Sequence, residues 1–120
     1  MKIVNPTAVL GEDLAVKYLQ NKGYKVIERN YQNRYGEIDI IGLLDNTLVF
    51  IEVKTRKSIS YGTPMEAITY RKLRELIKTA QYYSLTHPNL PKLLRIDAVS
   101  ILLKREGNVD TIEHIENISI

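Results

Sequence analysis

The sequence predicts an α/β fold in which a mixed sheet is flanked by helices, in the order αβββαβ. Three observations predict it. Apolar residues recur at helical spacing in two segments, 7–22 and 66–85. Runs rich in Ile, Val, Leu and Phe fill much of the remainder. Two of those runs are separated by Asp45-Asn46 alone, the spacing of a two-residue hairpin turn. At 120 residues the chain fits one compact domain, so residues 1–120 are read as a single unit large enough to bury a core.

The first helix is expected over 7–22, capped by Thr7 and ended by Gly23. Ala8, Leu14, Ala15, Val16, Tyr18 and Leu19 fall on one broad face. Glu12 lies inside that face, where a carboxylate is costly unless it is paired or bound to a metal. Its plainer reading is a partly exposed acid at the stripe's edge. Residues 24–28 alternate weakly and predict a strand, and 29–35 predict a polar loop. Residues 37–44 and 47–54 are the hairpin strands, followed by a basic loop over 55–64. The second helix is expected over 66–85, with Leu73, Leu76, Ile77, Ala80 and Tyr83 or Ser84 toward the core. His87-Pro88 and Pro91 break it. Residues 94–103 predict another strand, and after the Gly107-Asn108 turn residues 109–120 form either a last strand or an irregular tail.

Composition narrows the chemistry. There is no cysteine, which excludes disulfides and Cys-based zinc sites, and His87 and His114 are the two histidines. Any metal is then held mainly by oxygen ligands, which suits Mg²⁺ or Mn²⁺. No P-loop or GxGxxG is present, and nothing supports a Ser or Cys nucleophile. The first residues lack the apolar stretch of a signal peptide, and no apolar run approaches the roughly 18 residues of a membrane span. The expectation is a soluble, cytoplasmic protein. Net charge is +3 but unevenly spread: Lys54 to Arg95 carries nine basic and two acidic residues, the rest eight and twelve. The middle of the chain therefore suits a polyanion, or else presents a solvated helix face.

With Asp45-Asn46 as the turn, paired residues have numbers summing to 91, so Asp39 faces Glu52 and Glu37 faces Lys54. Alternation then places Glu37, Asp39 and Ile41 on one sheet face with Phe50, Glu52 and Lys54. Opposed carboxylates stand only ~5 Å apart at Cβ and repel each other. A divalent cation between Asp39 and Glu52 reverses that penalty. The Val53 carbonyl is a candidate further ligand, and Lys54 can orient water or neutralise phosphate charge beside the metal. Taken alone, Glu37 and Lys54 would be a plain surface ion pair worth ~0–1 kcal/mol, and a bulge would change the pairing.

The spacing Asp39-x12-Glu52-Val-Lys54, preceded by helical Glu12, resembles the PD-(D/E)XK nuclease superfamily. More closely, the chain resembles the YraN-type bacterial proteins. The matching motifs are Gly11-Glu12 with Ala15, Gly23-Tyr24, Arg29-Asn30, Gly36 to Asp39, Phe50 to Arg56, and Arg95 to Val99. They span nearly the whole chain. Ile38 replaces the superfamily's proline at an often variable position. The resemblance implies a restriction-endonuclease-like αβββαβ core and Mg²⁺- or Mn²⁺-dependent phosphodiester hydrolysis. Asp39 and Glu52 would be metal ligands and Lys54 the catalytic lysine. Glu12 would be the helix acid of the branch similar to Holliday-junction resolvases, helping to bind metal or water. The same analogy makes a homodimer a candidate, while the sequence leaves the oligomeric state open.

Arg71, Arg74 and Lys78 fall on one face of the second helix, and Arg56 and Lys57 lead into the loop before it. Arg34 and Tyr35 offer a phosphate contact and a stacking ring. Tyr82 and Tyr83 are read as core or surface aromatics, His114 as structural, and Asp97 as a buried ion-pair or hydrogen-bond partner, with Arg95 a candidate. The expected function is a metal-dependent DNA endonuclease. Two alternatives stand: a non-catalytic nucleic-acid-binding or adaptor module, and a structural subunit of a DNA-processing complex.

Overall fold

The computed structural model describes residues 4–57 and 68–119. Its elements are α1 (Pro6–Asn21), β1 (Lys25–Asn33), β2 (Gly36–Leu44), β3 (Thr47–Lys57), α2 (Tyr70–Thr86), β4 (Leu93–Leu103) and β5 (Val109–Ile115). The strands form one sheet in the order β1-β2-β3-β4-β5. β3 and β4 are parallel, and the other neighbours are antiparallel. A parallel pair needs a crossover, and the connection containing α2 supplies it. The α/β expectation and its mixed sheet hold, with a fifth strand added at the end.

Each sheet face is apolar and is covered by one helix. On one side Leu76, Ala80 and Tyr83 of α2 pack on Ile38, Ile41, Leu48, Phe50, Ile96 and Ala98. On the other, Ala15 and Leu19 of α1 pack on Ile40, Val49, Ile51, Val99 and Ile101. The central strands therefore read as nearly continuous apolar runs. Burying each Val, Leu, Ile or Phe among them contributes about 1.5–3 kcal/mol before ordering entropy. Tyr83 belongs to this core, and its hydroxyl donates to Glu28 Oε1 at 3.1 Å.

The element boundaries correct the sequence reading in four places. Asn5, not Thr7, caps α1: its Oδ1 accepts from the Thr7 and Ala8 N–H groups at 3.0 and 3.3 Å. Pro6 then takes the first helical position, where its missing N–H needs no partner. The expected loop over 29–35 is mostly strand, because β1 continues through Asn33 along β2 and leaves Arg34-Tyr35 as the turn. Its polar residues alternate between the exposed edge and the sheet, a pattern that resembles a loop when burial is unknown. α2 begins at Tyr70, where the Thr69 hydroxyl accepts the Lys72 N–H at 3.1 Å. The expected start at Glu66 and the loop from 58 onward lie outside the described residues, while 55–57 complete β3. Finally, β5 stops at Ile115.

The hairpin register follows the turn. Asp45 adopts φ +53, and Leu44↔Thr47 through Ile40↔Ile51 are paired as its two-residue length requires.

Candidate active site

The β2–β3 ladder stops at Ile40↔Ile51, one step before the two carboxylates. There Asp39 Oδ2 accepts the Val53 N–H at 2.8 Å in place of a strand partner. Side-chain alternation also changes phase at this point. Ile41 faces α2 and Ile40 faces α1, but Ile38 faces α2 again. Across on β1, Asn30 sits between the Arg29↔Ile40 and Tyr31↔Ile38 pairs with φ +53. Strict alternation of Glu37, Asp39 and Ile41 on one face is therefore not kept. The expected Glu37–Lys54 pairing is absent from the ladder, and Glu37 instead accepts from Gln32 Nε2 at 3.0 Å.

The consequence is an open seam that both helices reach. A groove of about 500 Å³ is lined by Glu12 from α1, Asn30 from β1, Asp39 from β2, Glu52 and Lys54 from β3, and Lys72 from α2, with Val53 also in its wall. Glu12 is placed there by the close crossing of α1 over β3. A Cβ on Gly11 would fall 1.8 Å from Thr55 Oγ1, so a residue without a side chain is needed at that crossing.

Glu52 is 5% exposed. Its carboxyl is pushed up to about 7, first by burial, then by the Asp39 charge and a hydrogen bond shared with Asp39. Lys72 and Lys54 pull the other way, with their Nζ atoms 3.8 and 3.7 Å from Glu52 Oε2. Glu12 is likewise raised, by burial and then by Asp39. Opposing this, the Arg29 guanidinium stands 3.6 Å away. With its amide nitrogen turned toward Glu12, Asn30 donates to both carboxylate oxygens at 3.2 Å. Asp39 and Glu52 are the adjoining carboxylates of this groove that could hold a cation.

Among the described residues, no three Asp, Glu or His side chains gather closely enough to enclose a metal. Asp39, Glu52 and the nearby Val53 backbone could hold a hard cation only if it kept much of its own water, as Mg²⁺ does. Glu12 faces the same groove, held by Arg29 and Asn30.

The predicted nucleic-acid contacts divide. Arg34, Arg71, Arg74 and Lys78 converge on a second cavity beside the β1–β2 turn. Arg56 and Lys57 sit apart from it, at the end of β3 beside Leu102 and Leu103. Among the residues of these surfaces that escaped the sequence reading are Lys72, Tyr70 and Glu75. Lys72 precedes Leu76 by one helical turn, so it flanks the apolar stripe of α2, and that was the available signal.

Asp97, within β4, is fully buried. It accepts from Arg95 Nε and an Arg95 Nη at 2.9 Å, from His114 Nε2 at 2.8 Å and from the Asn117 N–H at 2.9 Å. Burial by itself would raise its carboxyl, but the hydrogen bonds from His114, Arg95 and Asn117 outweigh it and hold the group below its ordinary value. Lys22 Nζ lies 2.9 Å from His114 Nδ1. The cluster ties β4, β5 and the chain end together, a structural role.

The profile of the uncharacterised protein family UPF0102 matches residues 11–101. A UPF0102 protein of Persephonella marina is 48% identical over 77% of this chain and 79% of its own. One from Syntrophomonas wolfei is 46% identical over 89% and 91%. One from Caldanaerobacter subterraneus subsp. tengcongensis is 39% identical over 98% of both. The chain belongs to the UPF0102, or YraN-type, family.

Proposed function

We propose that this UPF0102 protein is an Mg²⁺- or Mn²⁺-dependent nuclease that hydrolyses phosphodiester bonds within DNA. One observation carries the reading. The buried Glu52, raised to about 7 and hydrogen-bonded to Asp39, lies in a groove where two lysines, Lys54 and Lys72, reach the same Glu52 oxygen. A salt bridge serving stability alone has no use for a second acid that raises the first.

A divalent cation held by Asp39 and Glu52 would supply an acidified water and positive charge at the phosphate. The chain's own residues account for the rest. The Val53 N–H fixes the Asp39 carboxylate through Oδ2 and leaves its other oxygen to the groove. Lys54 and Lys72 counter the charge that grows on the phosphate oxygens as the P–O bond breaks. Glu12, poised by Arg29 and Asn30, is placed to take or return a proton on the α1 side. The cationic face of α2 supplies sequence-independent phosphate contacts. Among the described residues no helix is long and apolar enough to cross a membrane.

The test is a cleavage screen of duplex, flap, single-stranded and four-way-junction DNA with Mg²⁺ and with Mn²⁺, using Glu52→Ala as control. Cleavage that disappears in the control is expected. Full activity in purified Glu52→Ala protein would overturn the proposal. Binding without cleavage of every substrate would favour the non-catalytic nucleic-acid-binding alternative.

A further inference from the structure

The tip of the β1–β2 hairpin rests on the first turns of α2. At Gly36, φ +154, a Cβ would fall 2.5 Å from Glu75 Oε1, so strand backbone and helix side chain meet there. Beside that contact, Arg34, Tyr35, Tyr70, Arg71, Arg74 and Lys78 line a cavity of about 420 Å³. Glu75 also borders it, which leaves a net charge of +3 on the lining side chains. Past Tyr35 the surface continues into a hollow of about 390 Å³, where the Tyr35 and Tyr82 ring centroids are 5.7 Å apart. In the other direction Glu75 and Gly36 lead through a small recess to Glu37, which also lines the acidic groove.

The tyrosines are out of place for a purely structural surface. Tyr70 is 77% exposed and Tyr35 40%. Each is already paired with a cation: the Arg34 guanidinium lies 5.4 Å from the Tyr35 centroid, and that of Arg74 lies 5.9 Å from the Tyr70 centroid. A reader of continuous duplex needs cations for phosphates and side chains for groove edges, because the faces of paired bases are covered by their neighbours. Flat rings set among cations in a concavity fit a base whose face is free. The volume is that of a small-ligand pocket, roughly 300–1,000 Å³.

We propose that this cavity receives an unpaired nucleotide of DNA. Its base stacks on Tyr70 or Tyr35, and its flanking phosphates meet Arg71, Arg74 and Lys78. Resting on the nuclease reading, this makes the substrate a DNA with a single-stranded segment beside the bond that is cut, since Glu75 borders both the cavity and the recess, and Glu37 borders both the recess and the carboxylate groove.

Binding is measured by fluorescence anisotropy on the full chain in EDTA, so that cleavage plays no part. The ligands are a blunt duplex and the same duplex with a short single-stranded tail carrying 2-aminopurine. The tailed duplex is expected to bind at least about tenfold more tightly, with quenching of the 2-aminopurine on stacking. Tyr70→Ala and Tyr35→Ala should each weaken tailed binding by about five- to a hundredfold, with blunt binding within twofold, and Tyr70→Phe should keep the tail preference. Equal binding of the two duplexes would overturn the inference, as would a tail preference unchanged in the Tyr35→Ala/Tyr70→Ala double variant. A tail preference without cleavage of any DNA would refute the nuclease reading and leave this one standing. Cleavage without a tail preference would do the reverse.

Discussion

Glu52→Gln should stabilise the metal-free protein at alkaline pH while removing its activity. Glu52 is raised to about 7 by burial and by Asp39. The folded state therefore binds more protons than the unfolded chain between pH 4.5 and about 7, and wild-type stability falls as pH rises through that window. At about 1.4 kcal/mol for each tenfold change in proton affinity, the rise from 4.5 to about 7 corresponds to about 3 kcal/mol. Glutamine keeps the shape of the protonated acid and can donate to Asp39, so it escapes the loss. The variant and the wild type should melt together near pH 4.5. Above pH 8 the variant should be ahead by about 3 kcal/mol, or about 10 °C for a chain of this length. Thermal and urea unfolding in EDTA at the two pH values measure it. A variant no more stable than wild type at pH 8.5 would refute the claim that Glu52 is held against its charge. Saturating Mg²⁺ should stabilise the wild type and leave the variant little changed.

Three further outcomes are expected. Lys72→Ala removes the stronger of the two lysine contributions that lower Glu52, so the acid limb of the pH–rate profile should move upward. Each pH unit of movement corresponds to about tenfold in activity on that limb; Lys72→Arg should restore it, and an unmoved limb would show that Lys72 does not act through Glu52. Gly11→Ala should destabilise the fold by about 1–3 kcal/mol through the clash with Thr55, despite the better helix propensity of alanine. Thr55→Ala should recover part of that loss, and a neutral Gly11→Ala would mean α1 can shift without cost. Asp97→Ala leaves the Arg95 guanidinium, only 20% exposed, without its main partner; a lowered urea midpoint worth about 3–5 kcal/mol is expected, and an unchanged midpoint would remove the cluster's structural role.

Much of the framework was legible because it rests on local chemistry. The Asp45-Asn46 turn set the register of Leu44↔Thr47 to Ile40↔Ile51, since a two-residue loop leaves no other pairing. The apolar stripe of α2 was readable from its period, and the same period placed Arg71, Arg74 and Lys78 outward. Glu12 was conspicuous because a carboxylate within an apolar stripe needs a reason. The β1 extension was not legible: polar residues such as Glu28, Arg29 and Asn30 carry no signature that separates an edge strand from a loop.

By itself, then, the sequence determined the order of the first six elements, the hairpin register and the presence of two acids and a lysine at fixed spacing. Those follow from turn length and side-chain periodicity, which act over a few residues. Only the tertiary structure decided how the acids meet. The phase change at Asp39 lies across from the left-handed Asn30 of a neighbouring strand. Lys72 reaches Glu52 because α2 packs across the same seam, and the exposed Tyr70 and Tyr35 share a cavity because the hairpin tip leans on that helix. Such juxtapositions join residues tens of positions apart, and no local pattern encodes them.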